Sequence, residues 1–178
     1  MPSPLDFAEN RARKVQLLLL DVDGVLTDGS VIIGDDGREA KAFSIRDGAA
    51  LVWAQQEGLH VGLLSGRPSL ATAHRAAELG IELVIQTGPD KRAAYAQLLK
   101  DRSLTDYQIA YMGDDLLDLP ILGRVGLSAA PADASEEVLS RVHWVSRYGG
   151  GRGAVRELVE LVLRARLLWE RHVKKHLR

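Results

Sequence analysis

The sequence has no cysteine among its 178 residues. This absence excludes disulfide bonds, thiolate metal sites and thiolate nucleophiles, and it agrees with a cytoplasmic location. No stretch approaches the roughly 20 consecutive apolar residues of a membrane-spanning helix. The formal net charge is only −1, so we expect neither nucleic acid nor an anionic membrane as a partner. The stretch from Met1 to Val15 contains acids and no apolar segment, so we expect no secretory signal there.

The apolar runs predict a single α/β domain over residues 1–178. Hydrophobic residues make up 46% of the sequence, which is enough for one sizeable core. The run Leu17 to Leu20 has no polar alternation, which is typical of a strand covered on both faces of a parallel sheet. The stretch Leu79 to Ile85 is predicted to contain a turn at Gly80 followed by a strand. Further strands are predicted at Leu59 to Leu64, Ile109 to Met112, Val125 to Leu127 and His143 to Val145. With helices between them, these strands predict a Rossmann-like parallel sheet with helices on both faces.

Two carboxylates directly follow the first strand. Asp21 and Asp23 are two residues apart, so on extended backbone both side chains leave from the same side, and Gly24 lets the chain turn away. Ligands of open α/β sheets bind outside the carboxyl ends of the strands, where we expect this pair. Neighbouring anions need a proton or a cation, and a hard divalent ion such as Mg²⁺ suits oxygen ligands. For this short stretch alone, a plain polar turn is the alternative.

The longer stretch from Asp21 to Asp28, DVDGVLTD, resembles the first signature of the haloacid dehalogenase superfamily. Its members are mostly Mg²⁺-dependent phosphohydrolases that work through an aspartyl phosphate. Three further signatures follow in order: Ser65 in Ser-Gly-Arg, Lys91, and Gly113 to Asp118, which reads GDDLLD. The sequence is therefore identified as a member of this superfamily, and the resemblance implies its α/β fold.

The resemblance also implies catalytic roles. Asp21 is expected to be the nucleophile and Asp23 the general acid and base. Ser65 and Lys91 are expected to hold the phosphoryl oxygens, since a neutral hydroxyl donates a hydrogen bond and an ammonium group offsets negative charge. Taken alone, Ser65 would read as a helix cap.

The fourth signature completes the implied metal site. The expected Mg²⁺ ligands are Asp21, the backbone carbonyl of Asp23, and Asp114, with waters and a substrate oxygen at the other positions. Asp115 and Asp118 are expected to support this shell through hydrogen bonds. An acidic helix start is the alternative for this stretch by itself.

Residues 29–43 predict a β-hairpin. Ser30 to Ile33 and Arg38 to Phe43 read as strands, and the Asp-Gly turn between them is a strong hairpin signal. Many members of the superfamily carry a cap domain over the active site, whereas this chain has room only for the hairpin. A two-stranded hairpin is marginal alone and exposes apolar surface. We therefore expect it to pack against its own copies in a homo-oligomer, a tetramer.

The stretch AFSIRDG after the hairpin narrows the resemblance. It is similar to the capless phosphatases that act on 3-deoxy-D-manno-octulosonate 8-phosphate, a sugar-acid phosphate of lipopolysaccharide synthesis. The implied substrate contacts are Asp23, Ser44, Arg46, Asp47, Gly48, Arg67, Arg75 and Lys91. A guanidinium such as that of Arg67 suits a carboxylate or a phosphate. The alternative is a helix start capped by Asp47, with Arg46 and Arg75 as exposed charges. Members of the family often have a second glycine and a nearby arginine just after this motif, whereas this chain has Ala49, Ala50, Leu51 and Val52 there.

The carboxyl-terminal part carries a glycine-rich stretch and a basic end. GGRGAVRE, from Gly150 onwards, lacks the ending of a nucleotide-binding P-loop. It resembles the family segment that closes active sites between subunits, which implies that Arg152 reaches substrate. A helix from Ala154 is expected to end in a cationic, solvated tail over Arg171 to Arg178.

Three other functions stay open at this point. A phosphatase for a nine-carbon sugar acid 9-phosphate, of the sialic acid or KDN type, would use the same core. A phosphomutase also forms an aspartyl phosphate but usually needs a cap. A non-catalytic oligomerisation domain would be indicated by the loss of a signature aspartate, and none is lost.

Overall fold

A computed structural model describes residues 4–88 and 90–177. In chain order the elements are α1 (Pro4–Ala12), β1 (Leu17–Leu20), β2 (Ile32–Ile33), β3 (Glu39–Ala40), α2 (Ile45–Gln56), β4 (His60–Ser65), α3 (Leu70–Glu78), β5 (Leu83–Gln86), α4 (Lys91–Arg102), β6 (Ile109–Met112), α5 (Leu119–Leu122), β7 (Leu127–Ala130), α6 (Glu136–Leu139), β8 (Trp144–Val145), α7 (Ala154–Ala165) and α8 (Trp169–Lys175). Short 3₁₀ turns cover Asp106–Gln108 and Leu116–Asp118. Within the described ranges, no helix combines the length and the apolar character needed to cross a membrane.

The main sheet has six parallel strands in the order β5-β4-β1-β6-β7-β8. β1 lies between β4 and β6, and Leu20 is in register with Leu63 on one side and Met112 on the other. All four leucines of β1 are buried. Leu18 and Leu20 pack into a core with α1, α2, α3 and α7, whereas Leu17 and Leu19 pack into a second core with α4, α5 and α6. The predicted Rossmann-like fold, with helices on both faces, is therefore confirmed.

Several predicted strands have different bounds in the structure. The hairpin strands contain two residues each, and Ile33 pairs with Glu39. The strand predicted from Val125 begins two residues later, at Leu127. The reason is that the Val125 amide still donates to the Ile121 carbonyl and so continues the turn after α5. Strand bounds therefore depend on where the preceding helical turn ends.

The carboxyl-terminal helix is broken in two. α7 ends at Ala165, and Leu167 has a φ of 60°, in the left-handed region that reverses the chain. α8 then folds back so that Trp169 and His172 are buried, and the Trp53 ring lies 6.2 Å from the Trp169 ring. The expected exposure holds for Arg171, Lys174 and Lys175, whereas His172 is buried because α8 packs against α2.

Candidate active site

Three neighbouring strand ends meet at one edge of the sheet. Asp21 follows β1, Ser65 ends β4, and Asp114 lies two residues beyond β6. Because parallel strands end together at one edge, residues distant in sequence become neighbours here. A cavity of about 420 Å³ opens at this edge. Its lining includes Asp21, Asp23, Ser65, Arg67, Lys91, Asp114, Asp115 and Asp118.

Three carboxylates and one ammonium form the floor of this cavity. Asp21, Asp114 and Asp118 can each offer an oxygen atom within 4.8 Å of the other two. The Lys91 Nζ atom lies 2.9 Å from Asp21 Oδ1 and 2.8 Å from Asp118 Oδ1. Lys91, Asp21 and Asp118 are all buried. One lysine therefore bridges two of the three acids.

Asp118 is already held by the protein. Its Oδ1 accepts hydrogen bonds from Lys91 and from the Tyr111 hydroxyl at 2.6 Å, and its Oδ2 accepts one from the Asp114 amide at 2.9 Å. These contacts hold Lys91 beside Asp21 and fix the loop that carries Asp114. The supporting role of Asp118 stays a prediction, with which these contacts agree, and Tyr111 is a partner that the sequence did not indicate.

The acids strongly affect one another's pKa values. Burial, followed by repulsion from Asp21, Asp118 and Asp115, raises the pKa of Asp114 to about 8. Burial and the Asp118 charge raise the pKa of Asp21 to about 6, although Lys91 opposes the shift. The cluster holds more negative charge than Lys91 balances. It therefore favours binding of a proton or a further cation.

The residues fit a hard divalent cation. Asp21 and Asp114 offer carboxylate oxygens on adjacent strand ends, and oxygen ligands are the ones Mg²⁺ prefers. Asp118 completes the close group of acids but is occupied by Lys91 and Tyr111. Asp21 and Asp114, with the backbone at Asp23, would hold the ion.

Metal binding should release a proton near neutral pH. At pH 7 Asp114, with its pKa of about 8, is largely protonated, so a cation must displace that proton. We expect release of about one proton per Mg²⁺ at pH 7 and an affinity that rises between pH 6 and pH 8. Calorimetric titration in two buffers with different ionisation enthalpies measures the release. Asp101→Asn, at an exposed carboxylate on α4, provides the control and should keep the effect; equal heats in both buffers would contradict the prediction.

Gly24 makes room for the metal-binding acid. Its φ is 80°, and a Cβ atom built there would lie 2.0 Å from Asp114 Oδ2. Any other residue would push the Asp114 carboxylate away from the first loop. The glycine of the first signature therefore permits the close approach of two strand ends.

Ser65 stabilises the turn after β4. Its hydroxyl donates to the Arg67 carbonyl at 3.1 Å and accepts from the Arg67 amide at 3.3 Å. It caps no helix, because Ser69 caps α3. The alternative reading of Ser65 as a helix cap is therefore wrong.

The foot of the hairpin contributes residues that the sequence reasoning missed. Lys41 Nζ donates to Asp23 Oδ1 at 2.5 Å, and the Lys41 side chain is fully buried. Glu39 accepts hydrogen bonds from Arg67 and, at 2.6 Å, from the Ser69 hydroxyl. Only the folded position of the hairpin brings these groups to the cavity, so no local pattern could have indicated them.

The remaining predicted contacts lie outside the 420 Å³ cavity of this single chain. The Ser44 hydroxyl caps α2 by accepting from the Asp47 amide. The Asp47 carboxylate accepts from the backbone amides of Gly153, at 3.1 Å, and Arg156, at 2.8 Å. Asp47 thus caps a helix, as the alternative interpretation held. The helix that it caps is α7, and not α2, which contains Asp47.

Arg75 and Gly48 form a contact between α2 and α3. Arg75 Nη2 donates to the Ser44 carbonyl at 3.3 Å, and Nη1 donates to Glu78 at 2.8 Å. A Cβ atom at Gly48 would lie 2.2 Å from Arg75 Nη2. Gly48 therefore lets the arginine reach α2.

Arg46 and Arg152 line a separate basic cavity of about 350 Å³. Arg147 and Arg156 also line it, and both are paired with glutamates, Arg147 with Glu157 at 2.5 Å and Arg156 with Glu160 at 2.8 Å. The structure therefore separates these two predicted contacts from the carboxylate cluster.

The fold and the carboxylate cluster define a hydrolase of the haloacid dehalogenase class. Residues 80–157 match the haloacid dehalogenase-like hydrolase family. The 3-deoxy-D-manno-octulosonate 8-phosphate phosphatase KdsC of Escherichia coli K12 is 42% identical over 155 residues, which cover 87% of this chain and 82% of the relative. The chain therefore belongs to the 3-deoxy-D-manno-octulosonate 8-phosphate phosphatase family.

Solved structures agree with this placement. The phosphatase of the same description from Yersinia pestis has 42% identity and a TM-score of 0.91, covering 93% of this chain and 89% of that one. The Moraxella catarrhalis phosphatase, in complex with a magnesium ion, a phosphate ion and KDO, has 34% identity and a TM-score of 0.93, covering 95% and 97%. The resemblance identified from the sequence motifs is thus confirmed across nearly the whole chain.

Proposed function

We propose that this protein is a Mg²⁺-dependent phosphatase that hydrolyses 3-deoxy-D-manno-octulosonate 8-phosphate to the sugar acid and phosphate, in lipopolysaccharide sugar synthesis. The observation that carries the proposal is the buried cluster of Asp21, Lys91, Asp114 and Asp118 in a chain 42% identical to such a phosphatase. All four superfamily signatures are intact, which argues against a non-catalytic module. The expected cytoplasmic location stays a prediction.

The first step uses Asp21 as the nucleophile. Its carboxylate attacks phosphorus in line, the bond to the sugar oxygen breaks, and an aspartyl phosphate forms. The Lys91 ammonium, 2.9 Å from Asp21 Oδ1, and the Ser65 hydroxyl lie where they can hold the phosphoryl oxygens. A bound Mg²⁺ supplies positive charge that offsets the negative oxygens of the phosphate.

Asp23 handles the protons in both steps. It donates a proton to the departing sugar alkoxide and then accepts one from the water that hydrolyses the aspartyl phosphate. Its carboxylate is held from two sides, by Lys41 at 2.5 Å and by Arg67 at 3.5 Å. These contacts support a fixed position beside the nucleophile.

Arg67 is the substrate contact that the geometry supports best. It lines the same cavity as Asp21, and its guanidinium suits the carboxylate of a sugar acid. Ser44, Arg46, Asp47, Gly48, Arg75 and Arg152 stay predictions, which would require a second subunit or a rearrangement of the chain.

A panel of sugar phosphates tests the proposal. We expect the highest kcat/KM for the eight-carbon sugar-acid phosphate with Mg²⁺ and loss of turnover with EDTA. The panel includes a nine-carbon sugar acid 9-phosphate and hexose 6-phosphates that lack a carboxylate. Preference for the nine-carbon compound would transfer the proposal to that substrate, and turnover that is insensitive to EDTA would contradict the metal requirement.

The hairpin is proposed to assemble the chain into a homo-oligomer, a tetramer. Ile32 and Ile33 are 60% and 61% exposed, and Val31 is also exposed. Three adjacent exposed β-branched residues on a two-stranded hairpin leave an apolar patch that a second copy can cover.

A charge in this patch should dissociate the oligomer. We expect Ile32→Asp to shift the sedimentation coefficient to that of a smaller species, because a carboxylate would be buried at the interface. Tyr107→Asp is the matched control. Tyr107 is 69% exposed and directly precedes β6, at the amino-terminal ends of the parallel strands. A wild-type protein that is monomeric at micromolar concentration would contradict the proposal directly.

A further inference from the structure

Four charges of alternating sign form a ring that includes Asp23 and Arg67, two residues that line the active-site cavity. Lys41 bonds Asp23 at 2.5 Å and lies 3.8 Å from Glu39. Arg67 bonds Glu39 and lies 3.5 Å from Asp23. Each cation faces two carboxylates of the protein itself, so the ring is neutral as a whole. A carboxylate that binds Arg67 through the nitrogen used by Glu39 has to displace Glu39.

Arg67 and Ser69 together form a binding site for a carboxylate, here called the receptor, and the Glu39 carboxylate occupies it. One of its oxygens accepts a hydrogen bond from Arg67, and the other accepts one from the Ser69 hydroxyl at 2.6 Å. These hydrogen bonds, first that of Ser69 and then that of Arg67, lower the pKa of Glu39, so it stays ionised. A guanidinium and a hydroxyl that bind the two oxygens of one carboxylate would bind another in the same way.

Arg67 retains an unused donor in this arrangement. Its Nη2 atom is buried and has no hydrogen-bond partner among the described residues. A buried donor without a partner is unfavourable, and a bound ligand that satisfies it gains the difference. The guanidinium is therefore only partly satisfied by Glu39 and Asp23.

We propose that Glu39 is an internal competitor of the substrate: its carboxylate holds the receptor formed by Arg67 and Ser69, and the sugar-acid carboxylate displaces it. The inference rests on the proposed function for the identity of the entering acid. It assigns Ser69 as a further residue that determines specificity. The Glu39 carboxylate leaves Arg67 and Ser69 when substrate binds. A ligand without a carboxylate cannot replace Glu39 there.

The competition predicts tighter binding when Glu39 loses its charge. The apparent affinity of a site that is competent for only a fraction of the time is reduced by that fraction. Glu39→Gln keeps the shape of the side chain but weakens its hold on Arg67. We expect the Kd of 3-deoxy-D-manno-octulosonate to fall by about three- to tenfold, measured by calorimetry on the Mg²⁺-loaded protein. In a Ser69→Ala background this fall should be smaller, because Glu39 then keeps only its bond to Arg67 as a competitor.

Two comparisons make the test specific. Glu82→Gln, at an exposed glutamate before β5, should leave the Kd unchanged. In an Arg67→Gln background the effect of Glu39→Gln should vanish, because both act through one contact. The ratio of kcat/KM for the sugar-acid phosphate to that for a phosphate ester without a carboxylate should rise in Glu39→Gln.

The outcomes separate this inference from the proposed function. A higher Kd in Glu39→Gln would mean that Glu39 orients Arg67 for the substrate and would overturn the competition, as would an unchanged Kd. Failure of the wild-type protein to hydrolyse the eight-carbon substrate would instead overturn the proposed function. The binding comparison does not depend on turnover and can be repeated with any sugar acid that the panel identifies.

Discussion

Asp21→Asn should abolish phosphatase activity, lowering kcat by at least about 10⁴-fold. The amide cannot attack phosphorus as a carboxylate does, and it also removes one of the two negative ligands expected for Mg²⁺. Lys91 would lose its 2.9 Å contact with a charged partner but keep its bond to Asp118. The measurement is phosphate release at saturating Mg²⁺ and substrate, with circular dichroism to verify that the variant is folded.

The control for this variant is a carboxylate outside the site. Asp101 is exposed on α4, and its carboxylate accepts a hydrogen bond from the Gln97 amide, so Asp101→Asn should retain wild-type turnover. Activity of Asp21→Asn within about tenfold of the wild type would exclude Asp21 as the nucleophile. Rapid quenching of the wild-type reaction with phosphate-labelled substrate should also trap labelled phosphate on Asp21. Labelled phosphate on another residue would likewise exclude Asp21 as the nucleophile.

The residues around the cluster were predictable because their signals are local. An apolar run such as Leu17 to Leu20 predicts a buried strand, and the polar residue that follows must lie at the strand's end. Asp21, Ser65 and Asp114 each follow this rule on one of three adjacent strands. Parallel strands bring these residues to one edge of the sheet, and the strand order β4-β1-β6, which the sequence did not indicate, makes them neighbours.

The hairpin contacts were not predictable, since they depend on how a segment folds over the sheet. Glu39 and Lys41 alternate with small residues in a short strand, a pattern typical of any solvent-facing edge. Nothing local distinguishes a lysine that reaches Asp23 from one in water. Asp47 is a similar case, because its partners, Gly153 and Arg156, are more than 100 residues away.

The same limit applies to the basic end of the chain. Cations in the last turn of a helix are favoured by its dipole, and this local rule predicted a solvated tail. After the chain reversal at Leu167, α8 packs against α2. There the buried carboxylate of Glu57 forms ion pairs with Arg171 and Lys175. The chain reversal at Leu167 thus buries His172 and brings Arg171 and Lys175 to Glu57, while both cations stay partly exposed.

That carboxylate, Glu57, should be a main stabiliser of the carboxyl-terminal helix. Its side chain is 0% exposed, and it accepts hydrogen bonds from Lys175 at 2.5 Å and from Arg171, with His172 at 3.1 Å. We expect Glu57→Gln to lower the free energy of unfolding by about 2 kcal/mol. The loss stays below that of a fully buried pair because Arg171 and Lys175 are 61% and 52% exposed and can be hydrated.

The pH dependence of this loss identifies its cause. Burial alone would raise the pKa of Glu57, but the hydrogen bonds from Lys175, Arg171 and His172 outweigh it and lower the pKa to about 2. A carboxylate with a lowered pKa contributes stability that is complete above its ordinary pKa of about 4.3 and is lost as the pH falls towards 2. Urea unfolding should therefore show the full difference between wild type and Glu57→Gln at pH 7 and a shrinking one below pH 4. Glu170→Gln, at a glutamate that is 77% exposed on α8, should change little; a Glu57→Gln difference that is as large at pH 2 as at pH 7 would show that packing, and not the ion pairs, holds α8 in place.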